Sequence, residues 1–315
     1  MKRFILNIVI FGFALLSFLI IFDAAITCAF HRNLTRQYAV WNDILHKDLD
    51  ADVLIMGNSR AWCQYSPMIL DTILGVNSYN LGLDGSCFDR QIARYDIYRH
   101  YQPTKPKYII QNVEYATIGK TIGYEREQFM PYLMYPYFRN RIREVERFSR
   151  KELFIPMYRY YATNFYQNLV HKDDILYKGY NSENTPWDGS ALRNMTPFEQ
   201  EVDTNTLSMF IDYIESTRRD SVNLILVIAP LYTDIHSVVL NMDEIHRIYY
   251  DLADQFDIPI LDYSDCFLSQ DTTCFYNATH LNKKGSELFT LRLAHDLDSL
   301  GIIRSEGLKV EQMKE

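Results

Sequence analysis

Five short apolar runs punctuate the chain: DVLIMG (52–57), NSYNLG (77–82), KYIIQNVEY (107–115), VNLILVIAP (222–230) and IPILDY (258–263). Each is followed, at once or after an insertion, by a stretch with helical patterning, such as SCFDRQIARYDIYRHY or the last helical run over about 283–299. Runs that are continuously apolar, not alternating, belong to strands covered on both faces, as in parallel sheets. Strand–helix alternation with right-handed crossovers then predicts an α/β fold. The expected form is a doubly wound, flavodoxin-like three-layer α/β/α sandwich on a five-stranded parallel sheet. Ligands of such sheets bind beyond the carboxyl ends of the strands, so the residues that close each run are the ones to inspect.

The segments outside this pattern set the organisation. Lys2 and Arg3 precede FILNIVIFGFALLSFLIIF (4–22), broken only by Asn7. At about 1.5 Å per residue this is long enough to cross a hydrocarbon core. It is read as an uncleaved signal anchor with residues 1–3 in the cytoplasm. Cleavage near Ala24–Ala25 is the alternative, and Arg32 and Arg36 weigh against the orientation. Residues 23–50 are expected as a helical stalk and 51–302 as the main domain. An insertion interrupts that domain over 116–220, and a charged tail covers 303–315. Within the insertion, 124–170 is rich in Tyr, Phe, Met and Arg, as in MPYLMYPYFRNRIREVERF, and reads as helices packed over the domain. Residues 178–196 read as an irregular polar loop. The whole insertion is either a lid or a partner-binding surface. Net charge is −8 without a basic stripe, which sets nucleic acid aside. Cys63, Cys87, Cys266 and Cys274 of the main domain permit two disulfides, Cys266 with Cys274 and Cys63 with Cys87, or remain buried thiols. Their spacing does not suggest zinc, and no motif calls for a cofactor.

Two positions carry chemistry. Ser59 stands two residues after Gly57, which closes the first run in VLIMGNSRAWC. A nucleophile there faces the cleft at the sheet's carboxyl edge, with its backbone N–H near the start of the next helix. A helix cap is the plainer reading of the same serine. His280, in FYNATHLNKKG, follows the fifth run and precedes the last helix. A neutral imidazole is the base a serine needs near pH 7. In this fold both loops fall at one edge of the sheet. Arg60 either meets an anionic substrate group or pairs with a nearby acid, and Trp62 either stacks on a sugar ring or packs in the core.

These stretches resemble the blocks of the SGNH (GDSL) hydrolases over roughly 51–115 and 220–300. Gly57-Asn58-Ser59 stands where that family has Gly-Asp-Ser. NLGLDG matches its N-x-G-x-x-G stretch. Asn277-Ala278-Thr279-His280, followed by Leu281-Asn282 and Gly285, matches its Asp-x-x-His block with asparagine for aspartate. The resemblance implies Ser59 as nucleophile, His280 as base and Asn277 as the group that orients it, with Asp265 or Asp271 as substitutes for the missing carboxylate. It also implies an oxyanion hole from the N–H groups of Ser59 and Gly85, with the Asn112 side-chain amide as third donor. Asn112 is the only asparagine near the divergent third block, IIQNVEYATIG, and Glu114 and Tyr115 then end the strand facing the cleft.

Three functions follow as expectations. The first is an anchored extracytoplasmic serine esterase, with O-acetyl groups on a polysaccharide as one substrate. The second is acyl transfer to an envelope polymer beside a membrane acyltransferase. The third is a scaffold or binding protein that keeps the fold without the chemistry.

Overall fold

In a computed structural model, which describes residues 1–85, 87–120, 126–161, 165–170, 176–189, 192 and 195–303, the first apolar run forms strand β1, Val53–Met56. Its four side chains are all buried, but on opposite faces. Leu54 and Met56 join one apolar cluster, whereas Val53 and Ile55 join another. That double burial is why the run does not alternate with polar residues.

Two helices precede it, α1 (Lys2–Phe30) and α2 (Arg36–His46). After β1 come α3 (Ser59–Gln64), α4 (Pro67–Leu74), β2 (Ser78–Asn80), α5 (Phe88–Tyr101) and β3 (Tyr108–Asn112). The insertion supplies α6 (Pro136–Ile142), α7 (Arg150–Phe154) and α8 (Phe165–Val170), and α9 (Thr204–Arg219) leads back to the sheet. The chain then forms β4 (Asn223–Ile228), α10 (Met242–Phe256), β5 (Ile260–Asp262), a small hairpin of β6 (Phe275–Asn277) and β7 (His280–Leu281), and α11 (Lys283–Ser299). Local chemistry sets several boundaries. Pro67 opens α4 and Gly75, at φ 66°, closes it. The side chains of Asp203 and Asn282 cap α9 and α11.

The five strands are parallel in the order β2-β1-β3-β4-β5, with Leu54 opposite Ile109, Ile110 opposite Ile225 and Val227 opposite Leu261. This is the doubly wound order of flavodoxin-like sheets, and it reverses direction at β1. One face carries Trp41 of α2, Tyr95 of α5, Phe210 of α9 and Tyr249 of α10. The other carries Leu70 and Leu74 of α4 with Phe289 and Leu293 of α11. The expected three-layer α/β/α sandwich is therefore the fold.

Three expectations change. Residues 23–50 are largely helical but do not form a free stalk, because Val40, Trp41 and Ile44 of α2 are fully buried in the main core. Of the two roles left open for the insertion, its aromatic part, packed over the domain as helices, does not take that of a lid. It packs between α1, α2 and α5. The Trp41 indole donates to Gln128 at 3.0 Å, the Tyr132 hydroxyl donates to Asn42 at 2.9 Å, and Arg141 pairs with Asp96 at 2.7 Å. Among the described residues no disulfide forms. Burial pushes the Cys63 thiol up to about 12, so it serves as a packed thiol. Positions 190, 191, 193 and 194 of the expected polar loop, and the tail beyond 303, lie outside the described residues.

Candidate active site

The link from β1 into α3 is built around two backbone constraints. Gly57 sits at φ 148°, and a Cβ there would lie 2.6 Å from the Ala61 Cβ and 3.0 Å from the Asn112 Cβ. Gly82 sits still closer to its neighbours, since a Cβ would lie 2.3 Å from the Trp62 nitrogen. The turn after β2 therefore presses directly on the α3 backbone. Asn80 locks that contact by donating its side-chain amide to the carbonyls of Ala61 (2.8 Å) and Tyr65 (3.0 Å). The NLG stretch thus holds the body of α3 against the end of β2.

Ser59 is the first residue of α3, but Asn58 is its cap, accepting the Arg60 N–H at 3.0 Å. The serine hydroxyl is left for another partner. Its Oγ lies 2.8 Å from Nε2 of His280, across 221 positions of sequence. His280 begins β7, whose hairpin with β6 brings it over the serine. Asn282 holds the loop from beneath, donating to the carbonyls of Thr273 (2.8 Å) and Phe275 (3.1 Å) while capping α11. Gly285 lets α11 approach that loop, because a Cβ would lie 2.1 Å from the Cys274 carbonyl oxygen.

The imidazole is oriented by its other nitrogen. Nδ1 lies 3.0 Å from Oδ1 of Asn277 and 2.9 Å from Oγ1 of Thr279. The same Asn277 oxygen accepts the N–H groups of Thr279 and His280, each at 2.9 Å. An oxygen that can only accept assigns the proton to Nδ1, which leaves the Nε2 lone pair facing the serine hydroxyl. The Tyr276 ring stacks on the imidazole, with centroids 5.2 Å apart. Burial, followed by the nearby Arg60 guanidinium, lowers the His280 pKa to about 3, so the ring is neutral at pH 7.

Arg60 takes the structural option. Its side chain is 2% exposed and pairs at 2.9 Å with Glu114, which is 6% exposed. It also donates to the carbonyls of Ala229 (2.6 Å) and Pro230 (3.0 Å) at the end of β4. Glu114 accepts a further hydrogen bond from the Asn58 amide. An ion pair beneath the site therefore ties the ends of β1, β3 and β4 together. Tyr115 packs edge-on to Phe198.

The other expected residues divide. Asn112 ends β3, its Oδ1 accepting the Tyr65 hydroxyl at 2.7 Å, and its Nδ2 is buried without a partner. The Gly85 N–H faces the carboxylate of Asp84, whose pKa is raised by burial. Asp271 is engaged with Thr273, Cys274 and Lys284, and Asp265 lines a separate cavity beside His236 and His246, so neither substitutes at the imidazole. Trp62 is half-buried, and its carbonyl accepts the N–H of Asn181, from the polar-loop stretch of the insertion, at 3.1 Å. Sequence reasoning missed Thr279. The signal was there: Asn277-Ala278-Thr279 is an Asx-turn pattern in which the threonine hydroxyl folds back toward the asparagine oxygen. The Glu114–Arg60 pair had no local signal, because 54 positions separate its members. Among the described residues no cluster of three or more His, Cys, Asp or Glu side chains is placed to hold a metal ion.

Sheet order, the three blocks and the serine–histidine pair define an α/β/α arrangement that resembles the SGNH (GDSL) hydrolases. No protein-family model and no curated protein matches the chain. Among solved structures it is similar to a putative lipolytic protein of the G-D-S-L family from Desulfitobacterium hafniense DCB-2, at 14% identity and a TM-score of 0.43, over 78% of this chain and 99% of that one. It is also similar to a lipase/acylhydrolase from Enterococcus faecalis, at 11% identity and a TM-score of 0.41, over 81% and 98%. A family two carbohydrate esterase from Clostridium thermocellum aligns at 10% identity and a TM-score of 0.38, over 81% and 66%.

Proposed function

We propose that the protein is a serine esterase of SGNH type, held at a membrane by α1 with its catalytic domain outside the cytoplasm. The observation that supports this is the 2.8 Å contact between Ser59 Oγ and Nε2 of a neutral, oriented His280. In this reading Ser59 attacks an ester carbonyl while its proton passes to Nε2. The imidazolium so formed returns the proton to the departing alcohol. Water, activated by the same nitrogen, then releases the acyl group and frees the serine. The N–H of Ser59, the N–H of Gly85 and the buried Nδ2 of Asn112 are the proposed oxyanion donors. For Gly85 this requires the substrate to displace the Asp84 carboxylate from its N–H. Asn277 and Thr279 orient the ring but supply no charge. The base therefore rests neutral, and the imidazolium it forms on taking the serine proton has no carboxylate beside it. An O-acetylated envelope polysaccharide is the proposed substrate class, in keeping with the anchored, extracytoplasmic placement.

The test uses the full chain in detergent with a fluorophosphonate probe and p-nitrophenyl acetate, beside Ser59→Ala and His280→Ala. Labelling and turnover should disappear with Ser59→Ala, and His280→Ala should lower kcat by about 10²–10⁴. Undiminished labelling of Ser59→Ala would remove the serine from this role.

A further inference from the structure

The aromatic half of the insertion is built onto the end of α1. Asp23, the residue directly after the apolar run, pairs with Arg159, both side chains being nine-tenths buried. The same carboxylate accepts the Met157 N–H at 2.8 Å. Four residues on, the Thr27 hydroxyl lies 2.7 Å from the Tyr160 hydroxyl, and Phe30 stacks on Tyr160 with centroids 5.8 Å apart. The His31 ring completes the seam against the Pro131 carbonyl at 3.0 Å. These contacts run along two turns of one helix face, so α1 cannot swivel against the insertion.

A rigid joint locates neighbouring residues in depth. Residues 4–22 rise about 28 Å, close to the hydrocarbon thickness of roughly 30 Å. Ile20 is two residues from the end of that run and so lies about 3 Å inside the level at which it closes. A cavity of about 430 Å³ runs from that level outward to His31, with Ile20, Ala24 and Cys28 of α1 on one wall and Leu153, Phe154 and Ile155 on the other. Phe154 is 77% exposed and Ile155 49%, side by side next to the apolar run. Arg147, Arg150 and Lys151, all exposed, immediately precede this tip. An apolar tip beside a spanning helix, preceded by cations, matches the layering of an acyl region under anionic headgroups.

We infer that the Leu153–Pro156 tip enters the leaflet at the C-terminal end of α1, and that the cavity between tip and helix takes an acyl chain of an anionic glycerophospholipid. This rests on the reading of α1 as a membrane-spanning helix. The second contact prevents rotation of the domain about the anchor and holds it in one attitude to the bilayer.

The test places the full chain in liposomes containing phosphatidylglycerol with a photoactivatable diazirine on one acyl chain, and maps adducts by mass spectrometry after trypsin. Cleavage after Lys151 and Arg159 isolates the tip as one peptide, 152–159. Adducts are expected on α1 and on this peptide, at least tenfold above the peptide carrying the exposed Phe267. The Phe154→Asp/Ile155→Asp variant should lose the tip adducts at least tenfold and keep those on α1. Adducts on α1 with none on 152–159 above the Phe267 level would overturn the inference and leave the anchor reading standing. Absence of adducts on both would overturn the two together.

Discussion

Replacing Asn277 by aspartate places a charge where the chain has an amide while preserving the acceptor that Thr279 N–H, His280 N–H and Nδ1 all use. In the native chain the imidazole pKa lies at about 3 instead of its ordinary 6.5, through burial and then the Arg60 guanidinium. That difference is roughly 5 kcal/mol against the imidazolium, at about 1.4 kcal/mol per unit. A carboxylate oxygen 3.0 Å from Nδ1 contributes ~5 kcal/mol in the opposite sense at an effective dielectric of ~20. Desolvation of the new carboxylate offsets a few kcal/mol of this. The expected net is a rise of about two units, to ~5. The assay is kcat/KM for p-nitrophenyl acetate between pH 4 and 9, with ¹⁵N imidazole shifts followed over the same range. A base is active in its neutral form, so the native acid limb should fall below pH 4 and the variant's should centre near ~5. Because the imidazolium also forms in the transition state, the variant's plateau should rise by ~10²-fold. Superimposable profiles, or a native limb and imidazole titration near the ordinary histidine value, would refute the account of how this base is held neutral.

Two further outcomes follow from the scaffold around the site. Glu114→Gln leaves the Arg60 cation buried without its counter-charge and should lower unfolding free energy by ~3–5 kcal/mol in urea titrations, with part recovered in Arg60→Met/Glu114→Gln. A loss below ~1 kcal/mol would show that the pair is not what joins β1, β3 and β4. Gly82→Ala would push a Cβ against backbone atoms of Trp62, which cannot rotate away as a side chain could. It should cost about 1–3 kcal/mol and slow fluorophosphonate labelling of Ser59, and labelling at the native rate would separate the second block from the placing of α3.

The strands and their helices were legible because their signals are local. A run such as VLIM reports burial on both faces within four residues, and Pro67, Gly75 and Asn282 mark helix ends through their own backbone chemistry. The strand order and the meeting of Ser59 with His280 were legible at one remove, since a doubly wound sheet sends both loops to one edge. The role of Arg60 was not legible in the same way. Whether it pairs with an acid or faces a substrate depends on what stands 54 positions away, and only the alignment of β1 with β3 brings Glu114 beneath it.

The insertion marks the same boundary. Its Tyr, Phe and Arg content shows that it must bury aromatic surface, but such residues suit any apolar face within reach. The order of residues alone determined that this chain carries an apolar helix, a parallel sheet, and a serine and a histidine at the ends of strands. Tertiary packing decided that the aromatic part of the insertion lies on α1 while its polar-loop part meets Trp62, that α2 is built into the main core, and that Arg60 pairs with Glu114. Each of those outcomes turns on the relative placing of segments distant in sequence, and a local pattern of residue types does not encode that placing.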